Sequence, residues 1–127
     1  MTAFLVVLTT TILAAAGLVL DGGHALAAKI DALGLAREAA RTGAQELDLD
    51  HLRSTGTVRL SPRASAAAAR EFLREASRTG TASATSTTVT VIVTITRPTQ
   101  LLRLLGITEL TVTATATAQP RTPSSTP

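Results

Sequence analysis

The sequence predicts an α+β protein: one long N-terminal helix, its first half transmembrane and its second half amphipathic, packed with a second helix on a small antiparallel sheet of about three strands. Three patterns carry this expectation. An uncharged apolar run opens the chain, apolar residues then recur at steps of three and four, and the last third alternates threonine with valine or alanine.

The anchor comes first. Ala3 to Leu20 contains no charged residue, and at about 1.5 Å per residue a helix of that length covers about 27 Å, close to the ~30 Å hydrocarbon core of a bilayer. Thr9, Thr10 and Thr11 are compatible with insertion because their hydroxyls can bond back to the preceding helical turn. Residues 1–23 are therefore read as the anchor. The competing reading is a secretory signal peptide, with Phe4 to Leu13 as its apolar core and Ala14-Ala15-Ala16 as an Ala-x-Ala cleavage site before Gly17. Against cleavage, no Lys or Arg precedes the apolar run, and the run continues through Leu18-Val19-Leu20.

Asp21 either marks the exit from lipid or pairs with the amino terminus of a neighbouring subunit, since charge in a membrane demands a partner. Gly22 and Gly23 are a candidate hinge or a plain helix break. After them Leu26, Ile30, Leu33, Ala36, Ala40, Ala44 and Leu47 recur on one helix face, so a helix is expected over 24–47, continuous with the anchor and bent at the glycines.

A loop is expected over 48–56 and a short strand over 57–60. Ser61 as N-cap and Pro62 at the first helical position start a helix over 62–78 that Gly80 would end, with Ala69, Phe72 and Ala76 inward. Alternation then predicts strands at about 87–97 and 108–118, with Val89, Val91, Val93 and Ile95 on one inner face and Val112, Ala114, Ala116 and Ala118 on the other. Alanine on the last strand leaves room for a helix backbone to come close, and Ala36, Ala40 and Ala44 would fill it. Between the strands, Leu101 to Leu105 reads as a helical turn ended by Gly106, and 119–127 as a disordered Pro/Ser/Thr tail. The head is thus 24–118.

Composition narrows the function. The 127 residues include 23 Thr and 23 Ala but two Phe and no Tyr, Trp or Cys, which excludes disulfide frameworks, zinc ribbons and thiol catalysis. The net charge is +3, and the arginines are spread from Arg37 to Arg121 without a basic run. With no Tyr or Trp to stack on bases, no nucleic-acid partner is expected. His24, Asp48, Asp50 and His51 are the groups from which a metal site would have to be built, but Asp48-Leu-Asp-His51 reads as a solvated loop, and neither a metal nor a cofactor is expected. There is no Gly-x-Ser-x-Gly elbow and no phosphate loop after a strand, so an enzyme is not expected either.

The residues with functional promise lie in the helix and one loop. Phe4, Leu8, Thr10, Ala14 and Gly17 are candidate membrane and assembly positions, the small ones allowing close approach of a neighbouring helix. Four leucines in five positions, Leu101, Leu102, Leu104 and Leu105, either cap the open end of the sheet and partly fold back on the second helix, or form an exposed patch for a partner protein or the membrane surface.

Gly17-Leu-Val-Leu-Asp-Gly-Gly-His24-Ala-Leu26 leading to Ala44-Gln-Glu-Leu47, together with Thr94-Ile-Thr-Arg-Pro98 and the ending Leu104-Leu-Gly-Ile-Thr-Glu-Leu-Thr-Val-Thr-Ala-Thr-Ala-Thr-Ala118, resembles the TadE/TadG-like proteins of tight-adherence (Flp-type) pilus systems, especially those of actinobacteria. The resemblance implies a pilin-like fold and a minor pilin or pseudopilin in the cell membrane. Its implied partners are the membrane, other pilins and the Tad assembly platform, in a homo- or hetero-oligomer. Lys29, Arg37 and Arg41 follow the span, which by the positive-inside count alone would put the head in the cytoplasm. The resemblance implies the head outside, with incorporation into an extracellular pilus. The alternative from another class is a secreted binding or adhesive module released after Ala16.

Overall fold

The computed structural model describes residues 1–122. Helix α1 runs without interruption over Thr2–Gly43, 42 residues, or about 63 Å at the standard rise. The backbone stays helical through Gly22 and Gly23, so no break occurs there, and the space around both positions is open. Each glycine costs about 1 kcal/mol relative to alanine, which the long helical segments on either side absorb. The helix ends at Gly43, short of the expected Leu47. At Gly43 a Cβ would stand 2.7 Å from the Ser65 carbonyl oxygen and 3.0 Å from Val89 Cγ1, so the chain crosses closely here and then turns away.

Helix α2, Leu49–Thr55, occupies the segment expected to be a loop. Asp48 caps it: one carboxylate oxygen accepts from the His51 N–H at 3.0 Å, and the other accepts from Arg59 Nε at 2.9 Å and Nη2 at 2.7 Å. The His51 amide first, and then the Arg59 guanidinium, hold the Asp48 carboxyl below the ordinary aspartate range. Gly56, at φ 70°, ends the helix.

The strand expected over 57–60 is a single bridge, Leu47 to Leu60. Arg59 is drawn to Asp48 and the Leu60 N–H donates to the Ser86 carbonyl at 2.8 Å, so these residues tie the α1–α2 connection to the head instead of extending the sheet.

Helix α3, Pro62–Glu75, starts at Ser61 as expected, although the Ser61 side chain makes no capping bond. It stops before 78. The Ser77 N–H donates to Arg74 O at 3.0 Å and the Arg78 N–H to Leu73 O at 2.9 Å, with Ser77 at φ 53°. This is the Schellman arrangement, with serine where glycine is usual. Ser77→Gly should therefore stabilise the protein by about 1 kcal/mol, raising Tm by about 5 °C in a thermal melt; an unchanged or lower Tm would contradict this account. Gly80 lies instead in strand β1, Thr79–Ala84, which takes the third place in the sheet. A Cβ there would meet Ile92 O at 2.6 Å and Leu73 Cδ1 at 2.9 Å, so glycine lets α3 lie close to the strand.

Strands β2, Val89–Pro98, and β3, Glu109–Ala118, complete an antiparallel sheet in the order β1-β2-β3. Val91 is flanked by Ala82 and Ala116, and Val93 by Gly80 and Ala114. One large residue between two small ones on each rung gives a face that a helix can approach. The opposite face carries the threonine pairs Thr90–Thr117, Thr94–Thr113 and Thr96–Thr111, with hydroxyl separations of 3.4, 3.4 and 3.1 Å.

Both α1 and α3 lie on the alanine–valine face, and Ala32, Ala36, Ala39, Ala40, Ala69, Val89, Val91 and Val93 are fully buried between them. The inward face of α1 keeps Ala36, Ala40 and Ala44 of the expected stripe, with Leu33 and Leu47 partly buried against the core. Ala28, Ala32, Ala39 and Gly43 join them, while Leu26 and Ile30 are 62% and 64% exposed. Periodicity located the helix and its alanine positions but added two bulky residues that close packing of the helix on a sheet of valine and alanine leaves outside. In α3, Leu73 is buried and Phe72 only half so.

Candidate functional site

The chain's most specific polar construction joins the apolar N-terminal half of α1 to the loop between β2 and β3. Asp21 is 1% exposed. Its Oδ1 accepts from the Gln100 N–H at 2.7 Å, and its Oδ2 from the N–H groups of Leu101 at 3.0 Å and Leu102 at 2.7 Å. These amides open the 3₁₀ turn Leu102–Leu105, whose N-cap position holds Leu101 and therefore offers no side-chain acceptor of its own. Asp21 supplies from another element the cap that the loop lacks.

The rest of the loop closes on itself. The Leu104, Gly106 and Ile107 amides donate to Leu101, Arg103 and Leu102 carbonyls at 3.1, 3.1 and 3.2 Å. The Thr99 N–H donates to Thr108 O at 3.0 Å, and the buried Thr99 hydroxyl donates to Ile107 O. Gly106, at φ 89°, ends the turn.

One turn of helix below Asp21, Gly17 is buried, and a Cβ there would stand 3.0 Å from Leu101 Cβ. Towards the N-terminus, Thr10, Leu13 and Ala14 face Leu102, Leu104 and Leu105 across an apolar groove of about 220 Å³. Of the expected close-approach positions, then, Gly17 is covered by the chain's own Leu101, and Thr10 and Ala14 line the adjoining groove. Phe4 and Leu8 lie further along the same helix, 68% and 44% exposed. The leucine turn packs on α1 rather than on α3. Leu104 and Leu105 remain 80% and 66% exposed.

On the other side of Asp21, His24 and Asp31 of α1 share a cleft with Arg97 and Pro98. His51 lies elsewhere, its Nε2 2.9 Å from the Thr57 hydroxyl, and among the described residues no three His, Asp or Glu side chains converge as metal ligands. Asp21 has both oxygens committed to N–H donors, so it acts as a structural acceptor. The sequence reading considered Asp21 as a marker of the lipid boundary or a partner for another subunit; its contact within the chain was missed. The signal was available in part. Gly17, Asp21, Ala28, Ala32 and Ala36 form a single helical stripe in which Asp21 is the one charged residue, and Gln100-Leu101-Leu102 is a helical start without its own cap.

Together these features define a head-and-stalk protein, an α+β head on one N-terminal helix long and apolar enough to cross a membrane. Compared with known proteins, the chain matches no family model, no curated protein and no solved structure.

Proposed function

We propose that the chain is a membrane-anchored, non-enzymatic subunit of the minor-pilin type. It would contribute to the assembly of a tight-adherence (Flp-type) pilus or secretion complex, with its head outside the cell and its stalk packed among like helices. The observation that carries the reading is the division of α1 into two faces. Small residues from Ala28 to Gly43 are used up against the chain's own sheet, while the outward face keeps bulky apolar residues beyond the apolar span. Val19, Leu26 and Ile30, 76%, 62% and 64% exposed, follow one another at helical spacing on that face. An apolar stripe that continues past the membrane suits a helix that packs against neighbouring helices both in lipid and above it. Other pilins and assembly-platform proteins are the partners this stripe fits.

The test replaces Leu26 and Ile30 together by aspartate in the native host. Both side chains point away from the core, so the protein should remain folded and membrane-bound, yet lose cross-linking to other pilin-like helices and fail to support piliation. Normal cross-linking and piliation in that double variant would remove the proposal's main support.

A secreted module is the second reading, favoured by one observation: residues 1–16 are exposed throughout, and the first buried position is Gly17. Cleavage after Ala16 would leave Asp21 and its three bonds in place. N-terminal sequencing of the native protein separates the readings, since a start at Gly17 supports release and retention of Phe4 supports the anchor.

A further inference from the structure

We propose that the leucine turn of the β2–β3 loop is a second membrane-inserted element, seated in the acyl region of the leaflet nearest the head, alongside the chain's own anchor. The proposal rests on the reading of Ala3 to Leu20 as the span and extends it. Leu101 sits on Gly17, and Leu102, Leu104 and Leu105 face Thr10, Leu13 and Ala14. Measured along the helix at about 1.5 Å per residue, these positions lie from about 4 to about 15 Å on the lipid side of Leu20. A span of that length nearly fills a ~30 Å core. Wherever Ala3 to Leu20 is immersed, the turn is therefore carried into the same layer, because Asp21 fixes it to the helix by three hydrogen bonds.

The turn has the chemistry that such a place requires. Non-helical backbone at membrane depth must have its polar groups satisfied without water. Here the N–H groups of Gln100, Leu101 and Leu102 go to the Asp21 carboxylate, and those of Leu104, Gly106 and Ile107 go to carbonyls of the loop itself. Leu104, Leu105 and Ile107 then present 80%, 66% and 46% of their surface outward, an apolar patch continuous with that of the anchor. Arg103 is the loop's single charged residue, and its long stem allows the guanidinium to reach the headgroups. On the head side, His24 and Arg97 line a cleft just beyond the span, where they can meet lipid headgroups. A phospholipid acyl layer is thus the occupant that matches the depth and the apolarity of the turn and the internal pairing of these six amides.

The absence of cysteine makes the test direct. Single cysteines are placed at Leu104, Leu105, Ile12 and Ser86 of the full chain, labelled with a polarity-sensitive fluorophore, and reconstituted in phosphatidylethanolamine–phosphatidylglycerol vesicles containing nitroxide-labelled lipids. Ser86 lies in the β1–β2 turn, at the far end of the head. The expected result is blue-shifted emission and strong quenching by lipid nitroxides at Leu104, Leu105 and Ile12, with neither at Ser86. Quenching at Ile12 with water-like emission at both leucine positions overturns the insertion of the turn and leaves the anchor standing. A water-like Ile12 label overturns the anchor and the turn together. Blue-shifted leucine labels that escape lipid quenching, with energy transfer between differently labelled copies, overturn the proposal in favour of a second copy covering the patch.

Discussion

Asp21→Ala should release the Leu101–Leu105 turn from the stalk while the sheet and α3 stay folded. The substitution strands three amide donors at once. Hydrogen bonds to a charged acceptor are among the stronger ones, and an unsatisfied buried donor costs more than the mean bond contributes. Amide exchange at Gln100, Leu101 and Leu102 should accelerate by on the order of tenfold to hundredfold, whereas the β2 amides away from the loop should change little. Asp21→Asn should fall between the two. Its one carbonyl oxygen can replace Oδ2 and keep Leu101 and Leu102, but its NH₂ group then faces the Gln100 N–H. Exchange at these three amides in the alanine variant equal to that of the natural protein would falsify the capping role. The experiment is best done in detergent micelles, which cover the exposed apolar residues of the helix and the turn.

Ala36→Leu is the second large effect, this time on the head. Ala36 is fully buried in the middle of the α1 stripe that lies on the sheet. Overfilling a packed core typically costs 1–3 kcal/mol, and here the backbone would have to move as well, so a loss of about 3 kcal/mol and a Tm lower by about 10–20 °C are expected. That is a large share of the ~5–15 kcal/mol available to a small domain. Ile30→Ala, on the outward face of the same helix, should leave the Tm within about 3 °C, because exposed side chains far from packing contribute little. Equal sensitivity of the two positions would contradict the two-faced helix on which the assembly proposal depends.

Local patterns placed most of the fold. The alternation of Thr88 to Thr96 and Thr111 to Ala118 located β2 and β3 within two residues, and Ser61-Pro62 marked the start of α3. The 3.6-residue period found the upper part of α1 but assigned Leu26 and Ile30 to the wrong side, because periodicity identifies a stripe without saying what faces it. β1 was hidden for a different reason. Thr79-Gly-Thr-Ala-Ser-Ala84 is weakly apolar, and its glycine resembles a helix stop when read alone. Only Leu73 and Ile92, brought to either side of Gly80 by the tertiary fold, explain why glycine stands in a strand. Asp48 and Gly56 do carry the capping signals of α2, but seven residues with an Asp and a His resemble a solvated loop unless both ends are read together.

The amino-acid order by itself determined that the chain has a long apolar helix, a threonine-alternating hairpin and no cysteine, tyrosine or tryptophan, since composition and period act through neighbouring residues. Tertiary structure alone decided that Leu26 and Ile30 face outward, and that Asp21 reaches residues 79 to 81 positions away to hold a turn of leucines. Packing distance and the satisfaction of buried amides are properties of segments brought together in space, and no local window of the sequence contains both partners.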